Sequence, residues 1–279
     1  MSSGLDIALI QTRTPATARA ALAHVEPLIR EAASGGAKFI LTPEGTNVLE
    51  QRRDRRDAAI TTEDQDVAVL GLRRLAAELG VWLLIGSAIV RSGQAGDGRA
   101  ANRSLLIDGS GGIVARYDKL HVFDVNLPNG ETYRESATVR PGDGASVADT
   151  PWGRLGLTIC YDIRFPHLHR QLAKAGASMI TVPAAFTAPT GEAHWETLLR
   201  ARAIETGAFV LAPAQGGLHE DGRRTWGRST VVGPWGEIIA KADHDEPSIM
   251  RAKLDMEAVA RARAAVPSLT HDRDFLPAT

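Results

Sequence analysis

One segment of the chain carries most of its structural information: Leu157-Thr158-Ile159-Cys160-Tyr161-Asp162-Ile163-Arg164-Phe165-Pro166. An apolar run leads into a thiol, and the sequence then turns polar until it reaches a proline. This order predicts a short buried strand that ends in a sharp turn before a helix. A thiol at such a strand end is followed by backbone N–H groups that can receive the oxyanion of an acyl-transfer reaction. The structural alternative is a small apolar residue that completes a strand, since free cysteine is among the most buried residue types.

Strand and helix patterns alternate on both sides of this segment. Residues 5–10 predict a first strand, and Thr14-Pro15 predicts the cap and first position of a helix that Pro27 should kink or shorten. Further strands are predicted at residues 39–41, 81–85, 179–183 and 208–211, further helices at residues 63–79, after Pro166 and around His194-Trp195-Glu196, and hairpins at residues 104–117 and 229–240. This alternation predicts an α/β structure with mixed sheets covered by helices, in one domain over residues 1–279.

Composition and charge exclude several classes of function. The 279 residues are 44% hydrophobic and 23% charged, with a formal net charge of −1, which suffices for a core and leaves no basic stripe for nucleic acid. The densest basic cluster, Arg52-Arg53-Asp54-Arg55-Arg56, is interrupted by an acid and is interpreted as a solvated loop or helix face. No apolar run approaches roughly 18 residues, so no membrane span is expected. A single cysteine and the lack of a signal-peptide pattern at residues 1–6 predict a cytoplasmic protein.

The sequence predicts neither a metal nor a cofactor. His167 and His169 are two residues apart and would point in different directions on a helix, so they cannot chelate together. The chain has one cysteine, no His-x-x-x-His spacing and no glycine-rich phosphate loop. These absences argue against zinc and against nucleotides.

Three predicted strand ends carry polar residues that suggest chemistry: Glu44, Lys119 and Cys160. Strand ends on one edge of an α/β sheet converge in space, and active sites collect there. Each residue alone has a structural alternative. Glu44 could accept hydrogen bonds from a loop backbone, and Lys119 could be an ordinary surface lysine.

These residues lie in motifs that resemble the carbon–nitrogen hydrolase (nitrilase) superfamily from end to end. The motifs are Pro43-Glu44, Asp118-Lys119-Leu120, Tyr133-Arg134-Glu135-Ser136, Pro141-Gly142, the Cys160 segment, Ala185-Phe186, Ala193-His194-Trp195-Glu196, Arg200-Ala201-Arg202-Ala203-Ile204-Glu205 and Pro234-Trp235-Gly236. Within the superfamily the chain is most similar to the amidases that act on deaminated glutathione, followed by the ω-amidases. Gly191-Glu192 and Arg228 depart from the usual pattern of those amidases, which leaves the three polar residues intact and the exact substrate open.

The resemblance implies a four-layer α-β-β-α sandwich with a Glu-Lys-Cys triad. Cys160 would attack the amide carbonyl, Glu44 would move the proton, and Lys119 would stabilise the oxyanion beside the Tyr161 backbone N–H. The matching position of the family's second glutamate is Glu135, which would orient Lys119. The alternative for Glu135 is a solvated loop glutamate.

The residues that bind substrate follow less directly from the sequence. Arg164 is the candidate clamp for a substrate carboxylate, because a guanidinium binds carboxylates in bidentate fashion. A structural ion pair with a helix carboxylate is the alternative for Arg164. Tyr161, Phe186 and Thr187 are expected to line the pocket. His194 could line it as well, although a helical His-Trp pair more often packs than binds ligand.

The resemblance therefore implies a cofactor-independent amidase that releases ammonia from a small carboxylated amide through a thioester. Deaminated glutathione is the first candidate substrate, and an ω-amide such as 2-oxoglutaramate or 2-oxosuccinamate is the second. An N-carbamoyl-amino-acid hydrolase or a nitrilase would use the same triad. The alternatives from other classes are a non-catalytic binding protein and a redox sensor, which here would lack a resolving cysteine. We also expect a homodimer or higher even oligomer, with residues 265–279 as an extended tail packing on the partner subunit.

Overall fold

A computed structural model describes residues 4–93, 97–127 and 130–276 of the chain. Residues 92–98 are rich in glycine and serine and predict an exposed loop, which lies partly outside the described residues, as do residues 277–279 of the expected C-terminal tail. The described helices are α1 (Ala18–Ser34), α2 (Arg53–Ala59), α3 (Val67–Leu79), α4 (Pro166–Lys174), α5 (Ala188–Thr206) and α6 (Glu257–Ala265). The described strands are β1 (Leu5–Gln11), β2 (Phe39–Leu41), β3 (Trp82–Arg91), β4 (Ala100–Ile107), β5 (Ile113–Asp118), β6 (Asp124–Asn126), β7 (Thr132–Arg134), β8 (Val139–Arg140), β9 (Ser146–Thr150), β10 (Gly153–Leu157), β11 (Ala177–Thr181), β12 (Phe209–Ala212), β13 (Gly216–Leu218), β14 (Arg224–Trp226), β15 (Thr230–Val232), β16 (Ile238–Lys241) and β17 (Ser248–Leu254).

Two large mixed sheets form the centre of the molecule. The first has the order β17-β1-β2-β3-β4-β5, with β8 also paired to β4, and the second has the order β16-β15-β12-β11-β10-β9. Three neighbouring strands are parallel in each sheet, β1-β2-β3 in the first and β10-β11-β12 in the second. The remaining pairs are antiparallel, apart from the short parallel pair of β4 with β8. The predicted mixed sheets with interleaved hairpins are confirmed.

Alternation along the strands produces two separate cores. On β1, Ile7 and Leu9 face the second sheet, whereas Ala8 and Ile10 face helices α1 and α3. Successive side chains of a strand point to opposite faces of its sheet, so one strand contributes to both cores. Helices α4 and α5 cover the outer face of the second sheet, where Leu168 packs in a further buried cluster. The layers are therefore helices, sheet, sheet and helices, which confirms the predicted sandwich.

Helix starts differ from the sequence prediction in two places. Helix α1 begins at Ala18 after Thr17, not at Thr14-Pro15, because the Thr14 side chain is buried and accepts a hydrogen bond from Gln215. It also continues through Pro27 to Ser34, so the proline does not end it. Helix α3 begins at Val67, where the Asp66 carboxylate caps the backbone N–H groups of the first turn.

The basic cluster at residues 52–56 forms the first part of α2, and most of it is exposed. Arg56 is the exception, with only 8% of its surface accessible. The interpretation of this cluster as wholly solvated is wrong at that residue. Successive side chains of a helix point about 100° apart around its axis, so Arg56 can face the interior while its sequence neighbours are exposed, which a linear charge pattern does not reveal.

Candidate active site

The three predicted strand ends meet between the two sheets. Glu44 follows β2 and Lys119 follows β5, both in the first sheet, whereas Cys160 follows β10 in the second. All three side chains are buried, and Lys119 is only 2% accessible. The sandwich therefore brings together groups that lie far apart in the sequence.

Cys160 occupies a sharp turn of unusual backbone geometry. Its φ is +48°, a left-handed value that residues other than glycine rarely adopt. It begins a short 3-10 turn, Cys160–Arg164, which leads into α4, and its backbone N–H donates to the Pro183 carbonyl at 2.9 Å. The predicted strand, turn and helix are confirmed. A strained residue at such a turn is a frequent feature of functional sites, because the surrounding structure must hold it there.

Charged side chains surround the thiol. Lys119 Nζ donates to Glu44 Oε1 at 2.8 Å and to the two oxygens of Glu135 at 2.9 and 3.1 Å. In addition to burial, the charge of the Glu44 carboxylate acts on the Cys160 thiol and raises its pKa. All three N–H donors of the ammonium therefore point at carboxylate oxygens, and Glu44 connects the lysine to the thiol.

Two further groups hold Glu44, and sequence reasoning missed both. Asn102 Nδ2 donates to Glu44 Oε1 at 2.9 Å and to Glu135 Oε1 at 3.3 Å. The backbone N–H of Ala185 donates to Glu44 Oε2 at 2.9 Å. Asn102 lies in the middle of β4, and only the pairing of β4 with β5 places it beside Lys119. The Ala185-Phe186 motif was the one available signal for the second contact.

The surroundings determine the protonation state of each group. Burial opposes ionisation of Glu44, but the charge and hydrogen bond of Lys119 lower the pKa of Glu44 below its usual value. Burial likewise opposes the charge of Lys119, but Glu135 and Glu44 raise its pKa well above the usual range. Burial, reinforced by the negative charge of Glu44, raises the pKa of the Cys160 thiol well above its usual value. At neutral pH the site therefore holds an ionised Glu44, a charged Lys119 and a neutral thiol.

A buried carboxylate joins the Lys119 loop to the Cys160 turn. Asp162 Oδ2 accepts from the Tyr117 hydroxyl at 2.7 Å and from the Ile159 N–H at 2.8 Å. Asp162 Oδ1 accepts from the His121 N–H at 3.0 Å and lies 2.7 Å from His121 Nδ1. Tyr117 and His121 flank Lys119 in the sequence, so one carboxylate sets the position of both loops relative to each other.

Two glycines allow the loops to approach closely. A Cβ at Gly86 would lie 2.0 Å from the Thr42 carbonyl oxygen, next to the Glu44 loop. A Cβ at Gly142 would lie 2.1 Å from the Asp118 carbonyl oxygen, next to Lys119. Real Cβ atoms cannot approach backbone this closely, so both positions need glycine.

Glu44, Lys119 and Cys160 form part of the wall of a cavity of about 310 Å³. This volume is at the lower end of the range of about 300–1,000 Å³ that is typical of small-molecule sites. The predicted residues Glu135, Tyr161, Phe186 and Thr187 line the cavity together with these three residues.

Arg164 and His194 are not among the residues that line this cavity. They contact each other instead, with Arg164 Nη2 at 3.2 Å from His194 Nδ1. The Arg164 guanidinium also lies over the rings of Tyr161 and Phe186, at 5.9 and 5.4 Å from their centroids. The structure thus places the predicted clamp behind two rings of the cavity wall, where it packs on them. The arginines that do line the cavity, among the described residues, are Arg56, Arg134 and Arg223.

Two kinds of feature are absent from the described ranges. Among residues 4–93, 97–127 and 130–276, no cluster of three or more His, Cys, Asp or Glu side chains is arranged to hold a metal ion. No helix in those ranges has both the length and the apolar composition needed to cross a membrane.

Known proteins resemble this chain in sequence and in structure. A family profile described as carbon-nitrogen hydrolase matches residues 6–264. The deaminated glutathione amidase of Yersinia enterocolitica is 42% identical over 269 residues, covering 96% of this chain and 93% of that protein.

The crystal structure of the C. elegans NitFhit protein has a TM-score of 0.88 at 34% identity, covering 98% of this chain and 66% of that longer chain. A mutant amidase from Nesterenkonia sp. AN1 has a TM-score of 0.76 at 27% identity, covering 94% of this chain and 98% of that one. Its structure shows Michael addition of acrylamide at the active site cysteine.

Proposed function

This chain belongs to the carbon–nitrogen hydrolase family, and we propose that Glu44, Lys119 and Cys160 are the triad with which it hydrolyses an amide. The observation that carries the proposal is the burial of Cys160, Glu44 and Lys119 together at the wall of a small cavity, where Lys119 donates to Glu44 at 2.8 Å and the charge of Glu44 acts on the thiol. A nucleophile, a base within hydrogen-bond reach and a group that orients the base are the parts that covalent acyl transfer needs.

In the first half-reaction the neutral thiol transfers its proton to Glu44 as the sulfur attacks the carbonyl carbon. A C–S bond forms, the carbonyl becomes an oxyanion, and the C–N bond then breaks while Glu44 gives the proton to the leaving nitrogen. In the second half-reaction Glu44 takes a proton from water, which attacks the thioester and releases the carboxylic acid. The proton returns to sulfur, so the site ends as it began.

Lys119 serves both halves of this cycle. Its charge stabilises ionised Glu44 in the resting state, and it lies beside the position where the oxyanion forms, together with the Tyr161 backbone N–H. A preorganised donor of this kind typically lowers the barrier by about 3–4 kcal/mol. The two Glu135 hydrogen bonds hold the ammonium in place.

The first proposed substrate is deaminated glutathione, because the Yersinia relative is named for that activity. Its scissile amide is secondary, joining a 2-oxoglutaryl group to the nitrogen of cysteinylglycine. The leaving group is then an amine and not ammonia, so the expectation of ammonia release applies only to a primary ω-amide such as 2-oxoglutaramate. That ω-amide remains the second candidate, since both substrates have the same acyl group.

The test measures 2-oxoglutarate formed from each of these two substrates, with ammonia and free amine measured in parallel. An N-carbamoyl amino acid and a simple nitrile complete the panel, and Cys160→Ala is the matched control. We expect cysteine-dependent cleavage of deaminated glutathione, with amine release and no ammonia. Cysteine-dependent turnover of another panel member would keep the triad and replace the substrate. No cysteine-dependent turnover of any member would favour a non-catalytic binding protein.

Three further properties belong to the proposal. Residues 1–279 would form one hydrolase domain, with residues 265–279 as a tail that contributes to a homodimer.

The protein would work in the cytoplasm, where a reducing environment keeps the Cys160 thiol available. Fractionation of cells that express the tagged chain would test the compartment, and recovery of the protein in the membrane or secreted fraction would contradict it.

A further inference from the structure

From Arg56 and Arg223 we infer a carboxylate-binding subsite in the cavity wall that selects amides carrying an acidic group. This inference rests on the proposed function and adds to it the residues that recognise the substrate. The two arginines come from different parts of the chain, α2 and the turn between β13 and β14, and both line the cavity that contains Cys160.

The cavity is lined by acidic residues, so an acidic substrate needs cations in the wall in order to bind. Glu44, Glu50 and Glu135 all line it, and Lys119 is engaged by two of these three acids. Glu50 is paired with Arg52, which does not line the cavity. A substrate that bears carboxylates would be repelled here unless cations in the wall compensate.

Arg56 has the burial and the unused donors that this role requires. Its side chain is only 10% accessible, and a desolvated guanidinium gains more from a carboxylate than an exposed one does. It donates from Nη1 to Thr138 Oγ1 and from Nη2 to Asp57 Oδ1, each at 2.9 Å. Its Nε has no hydrogen-bond partner in the described part of the protein. A guanidinium has five N–H donors, so Arg56 retains capacity for a ligand.

Arg223 shows the same features in a looser setting. Its side chain is 16% accessible, and its contact with Asp221 is long, 3.6 Å from Nη2 to Oδ2. The Nε of this residue is also buried without a partner among the described residues. The third arginine of the wall, Arg134, is exposed and donates to Val125, Tyr133 and Asn126 of its own hairpin. Arg56 and Arg223 are therefore the cations available to an incoming acid.

Deaminated glutathione contains two carboxylates, one on the 2-oxoglutaryl group and one on the glycine. Binding of each half of the substrate to the Cys160→Ala variant shows which of these two carboxylates the subsite holds, without requiring turnover. Calorimetry measures the affinity for 2-oxoglutarate and, separately, for cysteinylglycine. Arg56→Gln and Arg223→Gln are then added to this background.

We expect each arginine substitution to weaken binding of the same one of these ligands by about 10- to 100-fold, as for loss of a charge-assisted hydrogen bond. The ligand that is affected identifies the half of the substrate that the subsite holds. Matched controls are Arg55→Gln and Arg224→Gln, which remove exposed neighbouring charges outside the cavity and should change affinity less than twofold. Arg56→Lys keeps the charge without the planar fork and should give an intermediate loss.

Unchanged affinity for both ligands in both glutamine variants would overturn the inference, and so would a parent variant that binds neither ligand. Thermal melting checks that Arg56→Gln is folded. If that variant is unfolded, the ligand affinities of the two single variants Arg56→Lys and Arg223→Gln test the inference instead. Failure of the proposed function has a different signature, which is the absence of amide turnover by the wild type. The binding result stands whether or not turnover is observed.

Discussion

Cys160 combines a strained backbone with a thiol that its surroundings keep protonated. The same carboxylate that would accept its proton also raises its pKa, because a thiolate beside ionised Glu44 would place two negative charges in a buried site. Lys119 acts in the opposite direction and favours the thiolate. Proton transfer is therefore expected to accompany attack on the substrate and not to precede it.

This balance predicts how the reactivity of the thiol depends on pH. Wild-type Cys160 should react slowly with iodoacetamide at pH 8, and the rate should keep rising with pH beyond the point where an ordinary thiol levels off, because the thiolate is the reactive form and the pKa of Cys160 is raised. Glu44→Gln removes the negative charge and leaves Lys119, so the pKa of Cys160 should fall. Each unit by which the pKa of Cys160 falls should raise the rate of alkylation at pH 8 roughly tenfold.

Mass spectrometry of the alkylated protein over a pH series provides the measurement. Glu50→Gln is the matched control, because this buried carboxylate lines the same cavity and does not contact the thiol. Its profile should match that of the wild type. An equal or slower rate in Glu44→Gln would show that Glu44 does not destabilise the thiolate.

At the scale of secondary-structure elements, Asp162 links the end of β5 to the turn after β10. The carboxylate is fully buried and has partners in both segments. A buried acceptor that receives several hydrogen bonds cannot be replaced by an amide without leaving donors unpaired, since the NH₂ of an asparagine would face other N–H or O–H groups.

Asp162→Asn should therefore lower the free energy of unfolding by about 3 kcal/mol, since a buried charged hydrogen-bond acceptor is lost. It should also lower kcat, because Lys119 and Cys160 lose their fixed relative position. Urea unfolding and steady-state kinetics on the substrate identified above measure the two effects. Tyr117→Phe removes one of the same hydrogen bonds, and also the one that the Tyr117 hydroxyl accepts from the Leu120 N–H, and should cost less, about 1.5–2 kcal/mol. Equal effects of the two substitutions would argue against a linking role for the carboxylate.

At the scale of the whole molecule, the C-terminal segment has two different parts. Arg170 and Lys174 of α4 pair with Asp272, and Arg170 also donates to the Ser268 carbonyl. This first part is bound to its own chain. Phe275 and Leu276 beyond it are 89% and 90% exposed, and exposed apolar pairs of this kind are typical of interaction surfaces.

If the proposed homodimer uses this tail, Phe275→Ser with Leu276→Ser should weaken the dimer at least about tenfold, as loss of roughly 1.4 kcal/mol of apolar contact would. Sedimentation or light scattering across a concentration series measures the dissociation. Leu218→Ser, which removes an exposed leucine of β13, is the matched control and should leave the dimer intact. A wild-type protein that is monomeric at every concentration would contradict the homodimer itself.

The sequence by itself determined the strand, turn and helix around Cys160, the mixed sheets, and the residue types of the proposed triad. Each of these depends on local periodicity, turn residues or short motifs, which are read without knowing distant neighbours. It also placed Glu44 and Lys119 at strand ends, from which convergence follows once the strands share a layer.

Only the tertiary structure decided which other side chains reach the site. Asn102 contacts Glu44 because of the register between β4 and β5, Arg56 is buried because of how α2 docks, and Arg164 packs behind the wall instead of lining it. Register, docking and side-chain direction are set by contacts between residues far apart in the chain. A local pattern contains no information about them, so the sequence could not show that Arg56 and Arg223 line the cavity whereas Arg164 packs on two of its rings.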